Sequence, residues 1–140
     1  MSILHQIEID APAEIIFALY ADVEGWPSWD SETTAVKLPG LKHGATGWLK
    51  PRNGPKARIR VVDVVPNRSF TVEGALPFCR MQFGHELQGT KGRTTATHWV
   101  TFFGPLAFVF RRLIGTGIHR TLPNTLGGLK RASEERVRTK

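Results

Sequence analysis

Two histidines stand on stretches that alternate apolar and polar residues and are joined by a glycine-rich turn. Phe78 to Leu87 and Thr94 to Phe103 read as strands, and Gly89-Thr90-Lys91-Gly92 between them reads as a hairpin. Pairing Gly89 with Gly92 sets Phe83 opposite His98 and His85 opposite Ala96, and opposite residues project to the same side of a sheet. One face then carries Met81, Phe83, His85, Leu87, Ala96, His98, Val100 and Phe102. This is the apolar face, so it turns inward and takes both histidines with it. Histidine titrates near neutral pH, which makes His85 and His98 the candidate acid–base groups. The competing reading makes them neutral, hydrogen-bonded interior residues. It is preferred because no carboxylate is expected on their face. A metal site would need a third ligand. His5 could share the sheet face, but the spacing matches no known metal signature, so no metal is expected.

Other chemistry-bearing residues are few. Arg58 and Arg60 alternate with Ala57 and Ile59, so one face of that strand is charged. Turned inward, Arg60 would clamp a carboxylate or phenolate; turned outward, it is simply solvated. Solvent exposure is favoured and the orientation stays open. Cys79 has no evident activating partner. The chain contains no phosphate loop, dinucleotide fingerprint or serine elbow, and no cofactor is expected. The stretch VEGWPSWD, Val23 to Asp30, holds two of the four tryptophans. Trp26 and Trp29 are three apart and project to one face of a helix. They plug a joint between helices and sheet, or line a pocket as flat apolar walls with an N–H to donate, and both can hold. Asp30 and Glu32 follow as loop-capping or solvated acids.

The elements that must position these residues follow from periodicity. The chain has 140 residues, 41% of them hydrophobic, which suits one domain spanning 1–140. Ile3, His5, Ile7 and Ile9 alternate with Leu4, Gln6, Glu8 and Asp10 and predict a half-buried strand. Asp10-Ala11-Pro12-Ala13-Glu14 then combines a capping residue, a first-turn proline and an acid near the positive helix end. Ile15, Ile16, Phe17, Leu19 and Tyr20 give that helix its apolar face, and Trp26-Pro27-Ser28-Trp29 should start a second, short one. From Glu32 to Phe103 the chain reads as a six-stranded antiparallel meander, with strands at 33–38, 46–50, 58–65, 69–73, 78–87 and 94–103. Beyond Gly104-Pro105 a long helix runs to about Val137. Leu106, Val109, Phe110 and Leu113 cluster on one side of it, whereas Ile118, Leu122, Leu126 and Leu129 centre elsewhere. A bend is therefore predicted between 115 and 123, near Gly115, Gly117 and Pro123.

Several function classes are excluded or demoted. No stretch approaches the ~20 apolar residues of a membrane span, and the start of the chain lacks the pattern of a signal peptide. The single cysteine forbids an internal disulfide, and the cytoplasm is the expected location. The net charge of +7 is concentrated near the C-terminus, in Arg111, Arg112, Arg120, Lys130, Arg131, Arg136, Arg138 and Lys140. No nucleic-acid-binding motif accompanies it, so no nucleic acid is expected. The preferred reading of these cations is a solvated basic helix end that complements the helix dipole; peripheral contact with an anionic membrane surface through this helix stays open, as does a homodimer through an edge strand or the Phe102-Phe103 region.

Three stretches carry a resemblance. Ile7-Glu8-Ile9-Asp10-Ala11-Pro12-Ala13-Glu14 with Ile16-Phe17, then Tyr20 to Trp29, then Gly104-Pro105-Leu106-Ala107 ahead of a helix ending Leu129 to Glu134 are similar to the START-related superfamily called SRPBCC. Within it, the polyketide cyclase/dehydrase-like group is the nearest. The resemblance implies an α+β helix-grip fold, with a curved antiparallel sheet of about seven strands wrapped round the long C-terminal helix and two short helices after the first strand. It also implies a deep, mostly apolar cavity between sheet and helix. The lining expected there comes from Trp26 and Trp29, from Trp48, Phe70, Phe83, His85, His98 and Val100 on strands, and from Phe110, Leu113 and Gly117 on the helix. The expected function is binding of a hydrophobic small molecule, a lipid, isoprenoid or aromatic polyketide-like compound. The alternative is a metal-free cyclase or dehydratase using the cavity histidines for proton transfer, and whether the chain is an enzyme is left open.

Overall fold

The structure is a computed structural model that describes residues 2–139. Strand β1 (Ser2–Ile9) leads into helix α1 (Ala13–Ala21) and a 3₁₀ helix (Val23–Ser28). Six strands follow: β2 (Thr33–Lys37), β3 (Thr46–Pro51), β4 (Ala57–Val65), β5 (Ser69–Leu76), β6 (Cys79–Thr90) and β7 (Arg93–Phe103). Helix α2 (Ala107–Arg138) closes the chain. The sheet runs β1-β7-β6-β5-β4-β3-β2, and every neighbouring pair is antiparallel. This is the α+β helix-grip arrangement. Register shifts between Thr33 and Ala35 and between Val61 and Asp63 bend the strands they interrupt, which curves the sheet. Among the described residues, no helix is long and apolar enough to cross a membrane.

The inward face is set by alternation. On β7, Thr94, Ala96, His98, Val100 and Phe102 are all buried while their neighbours are less so. The hairpin register differs from the sequence expectation by two residues: His85 pairs with His98, Phe83 with Val100, and Gly89 with Thr94. The cause is the turn, which closes on Lys91 and Gly92 with both at positive φ, the two-residue geometry that matches strand twist. Because the shift is even, the two faces keep their membership.

Local starts and stops also differ in detail. Pro12 sits just ahead of α1 with an extended backbone and makes no side-chain cap, and Asp10 instead pairs with Arg93 at 3.2 Å. The second short helix begins at Val23 rather than at Trp26, and Trp29 lies just past its end.

Helix α2 is a single segment from 107 to 138 that continues through Pro123. Ala107, Phe110, Ile118 and Leu122 pack against a cluster of Cys79, Met81, Val100 and Phe102. Leu126 and Leu129 join the larger core around Ile9, Ile16, Tyr20 and Val61. At about 100° per residue these helix positions form one face, and Leu113 lies nearly opposite to it. Leu113 is accordingly 72% exposed, so α2 needs no bend to bury it. Two close approaches fix the helix in place. A Cβ on Gly128 would stand 1.8 Å from the Trp29 carbonyl oxygen, and one on Gly115 would stand 3.3 Å from the Ile3 side chain.

Candidate functional site

Helix α1 buries Ile16, Phe17, Leu19 and Tyr20, and Tyr20 is wholly shielded from solvent. A buried phenol needs a hydrogen-bond partner, and the Tyr20 hydroxyl finds His98 Nε2 at 2.8 Å. Around this pair lies an aromatic nest. The His85 ring stacks on Phe70 with centroids 3.9 Å apart and planes 4° from parallel. It meets His98 edge to face at 4.5 Å. Because a carbonyl can only accept, the 3.2 Å contact between His85 Nδ1 and the Phe70 oxygen assigns the proton to Nδ1. In the neutral ring Nε2 is then a free acceptor.

The electrostatics follow from burial. Desolvation lowers His85 from 6.5 to about 4, with the Phe70 hydrogen bond opposing it in part. Burial also pushes His98 well below 6.5, and the neighbouring His85 adds repulsion in the same direction. Burial drives the Tyr20 phenol far above 10. At neutral pH the three groups are therefore uncharged, which suits polar contact with a neutral ligand better than proton abstraction.

The two tryptophans divide their work. Trp26 is buried against Phe70, and its indole N–H donates to the Tyr20 carbonyl at 2.9 Å, tying the end of α1 to the 3₁₀ helix. Trp29 lies beside Tyr20, with centroids 6.2 Å apart, and its indole nitrogen is shut off from solvent without any hydrogen-bond partner. Next to it, buried Asp30 accepts from the Thr33 hydroxyl and from Thr125 of α2, both at 2.8 Å, which anchors the loop to the helix.

The concave face is unevenly covered. Helix α2 lies mainly over β1 and β7, with a lesser reach to β6. On β7 the inward side chains are closed off, whereas Gly74 and Leu76 on β5 and Phe83 and His85 on β6 keep accessible surface. Two recesses lie at the ends of the sheet. One of about 360 Å³ is lined by Leu76, Phe78, Arg80, Phe103 and Pro105, and one of about 600 Å³ by Glu14, Arg68, Lys91 and Arg93.

Of the residues singled out from the sequence, Trp26, Trp29, Phe70, His85 and His98 come together around Tyr20. Phe83, Val100 and Phe110 lie in the second cluster toward the start of α2. Three fall elsewhere. Trp48 pairs across the strands with Lys37 and Arg58 on the convex face, where Lys56 caps its ring at 4.1 Å. Strand β3 thus turns Gly47 and Leu49 inward instead. Leu113 and Gly117 lie on the exposed side of α2. Arg60 faces outward and pairs with Glu73 at 3.9 Å. His5 stands in register with His98, but its ring reaches His119 of α2 at 2.9 Å. Among the described residues, no three His, Cys, Asp or Glu side chains gather to hold a metal ion. Tyr20 was missed as a site residue. The available signal was a phenol on the apolar face of the helix facing a histidine-bearing strand, since such a hydroxyl must find a partner.

Residues 2–134 match the family described as Polyketide cyclase / dehydrase and lipid transport. The chain belongs to this family. Among solved structures, this member of the polyketide cyclase/dehydrase and lipid transport family is similar to the Zhui aromatase/cyclase from Streptomyces sp. R1128. That match has a TM-score of 0.81 at 18% identity and covers 98% of this chain and 95% of that one. It is also similar to NE0264 from Nitrosomonas europaea, with a TM-score of 0.77 at 15% identity, covering 99% and 97%. TTHA0849 from Thermus thermophilus gives 0.73 at 15% identity, covering 95% and 97%. Identities this low carry the fold alone. No curated protein matches this family member in sequence.

Proposed function

We propose that this chain binds a neutral, apolar small molecule bearing at least one oxygen, held on the concave face beside Tyr20. The carrying observation is the indole N–H of Trp29, buried and unpartnered. Such a donor costs about 1–3 kcal/mol when left unpaired, and a ligand oxygen would recover that. The free Nε2 of neutral His85 offers a complementary acceptor for a ligand hydroxyl. Apolar contact would come from Phe83, Leu76 and Phe110, which keep accessible surface. The family description, which joins ring-forming and dehydrating enzymes to lipid transport, fits such a ligand class.

A second reading makes the same nest catalytic. The hydrogen-bonded Tyr20–His98 pair would polarise a carbonyl, and His85 would move a proton during cyclisation or dehydration. With its affinity for protons lowered to about 4, His85 is a weak base at neutral pH, which favours binding over turnover.

Proton–nitrogen correlation spectra of the four tryptophan indoles test the binding reading, with naphthol as the probe. The Trp29 signal should shift on saturation while that of Trp48, on the convex face, stays fixed. An unmoved Trp29 signal, with Trp29→Phe binding naphthol as tightly as the parent chain, would end the proposal. For the catalytic reading, turnover of a linear polyketide analogue should be lost in His85→Phe; unchanged turnover would exclude it.

A further inference from the structure

The end of the molecule where β5 turns into β6 and where α2 begins holds large side chains with no internal partner. Phe78 is 76% exposed, Phe108 67% and Phe103 42%. Phe78 and Phe103 line the same recess, and the Phe78 carbonyl accepts from the Leu106 N–H, two residues before Phe108 at the entry to α2. Phe78 is also strained. It occupies the Pro77-Phe78 turn between paired Leu76 and Cys79 with φ at +54°, the position of a proline-led turn that ordinarily takes glycine. A bulky ring is thus held in an unfavourable backbone conformation and pointed at water, with no return inside the fold.

The surroundings are cationic. Arg80 flanks Phe78, and Arg111 and Arg112 follow Phe108 by one turn of helix. Glu73, the carboxylate that Arg80 reaches, is shared with Arg60. Between Glu86 and Glu134 the sequence has no carboxylate side chain at all.

We propose that this tip docks on the surface of an anionic lipid bilayer, with Phe78, Phe103 and Phe108 entering the interfacial region and the arginines pairing with phosphates. Phenylalanine side chains of an interfacial element bury at the headgroup–acyl boundary, and clustered arginines next to them add attraction to anionic headgroups. A second copy of the chain fits less well. A two-fold interface would bring this arginine-rich patch against the same patch of the copy, with Glu73, already shared by Arg60 and Arg80, as the carboxylate beside it. The contact lies at the N-terminal end of α2, not at its more basic C-terminal end, where Glu134 and Glu135 break the run. It stands apart from the ligand reading, since a chain with an empty interior would dock equally well.

Co-sedimentation with phosphatidylcholine vesicles, with and without phosphatidylglycerol, tests the contact. The parent chain should pellet with anionic vesicles, weaken as salt rises, and stay in solution with neutral ones. Phe78→Gly should bind about tenfold less tightly, as should the Arg111→Glu/Arg112→Glu variant. Phe78→Gly should also melt at a higher temperature than the parent, because glycine relieves the positive φ, so its lost binding is not unfolding. Failure of the parent to pellet with anionic vesicles would overturn the proposal, and so would unchanged binding by Phe78→Gly. So would a parent dimer that Phe78→Gly converts to monomer in sedimentation equilibrium, since that result would give the patch to a second copy.

Discussion

Acidification should destabilise this protein through its inward-facing, desolvated histidines before any carboxylate titrates. His85 has its folded-state value lowered from 6.5 to about 4, so protons bind preferentially to the unfolded chain. Its contribution is intact above 6.5 and is lost progressively as pH falls toward 4. Taking those two values, His85 alone removes about 2 kcal/mol of stability between pH 7 and pH 5. His98 shifts in the same direction and adds to the loss. Glu134 behaves oppositely in origin: the Lys130 hydrogen bond lowers it, so its contribution fades only as pH drops through the carboxylate range. The window between 6.5 and 5 therefore belongs to the histidines. Urea unfolding followed by tryptophan fluorescence at a series of pH values reads the effect directly. His85→Phe keeps the stack on Phe70 while removing the titrating group, and should cut the loss between pH 7 and pH 5 by about 2 kcal/mol. A parent chain equally stable at both values, or a variant with the parent's full pH dependence, would refute the buried neutral assignment.

Two glycines on one helix should respond oppositely to alanine. Gly128→Ala drives a Cβ into the Trp29 carbonyl and should cost about 3 kcal/mol or more in urea unfolding. Gly117→Ala meets open space within the helix and should stabilise by about 0.5–1 kcal/mol. Tyr20→Phe leaves His98 Nε2 buried without its partner and should lower stability by about 1–3 kcal/mol, measured at pH 7. Trp29→Phe removes an unpartnered donor that costs about 1–3 kcal/mol but also shrinks a ring packed against the core, so the two effects offset and the thermal midpoint should stay close to the parent value while naphthol binding weakens.

Much of the fold was legible because its signals are local. Alternation at Ile3 to Ile9 and across β6 and β7 fixes which residues face inward, and the punctuation at Pro39-Gly40, Pro51 to Pro55 and Gly104-Pro105 separates the elements. The hairpin register was not legible, since the turn could close on Thr90-Lys91 between two glycines or on Lys91-Gly92, and backbone twist chooses the latter. The orientation of β3 failed for a related reason. Trp48 is its largest residue, yet the register that sets Trp48 opposite Arg58 and Gly47 opposite buried Ile59 turns Trp48 outward. On α2, Leu113 looked like core because the sequence does not disclose which apolar residues a helix leaves in water. The site itself was half legible. Inward histidines and paired tryptophans came from pattern, whereas the Tyr20–His98 bond joins residues 78 apart in sequence and depends on α1 packing across the sheet.

The proposed function requires that an apolar guest be admitted to the concave face beside Trp29 and Tyr20. Native mass spectrometry of chain purified without detergent and then mixed with naphthol tests this most directly. It should show one apolar molecule per chain, either retained from the cell or taken up from solution, and displaced by organic extraction. Only the bare chain mass in every preparation, with or without naphthol, would contradict it.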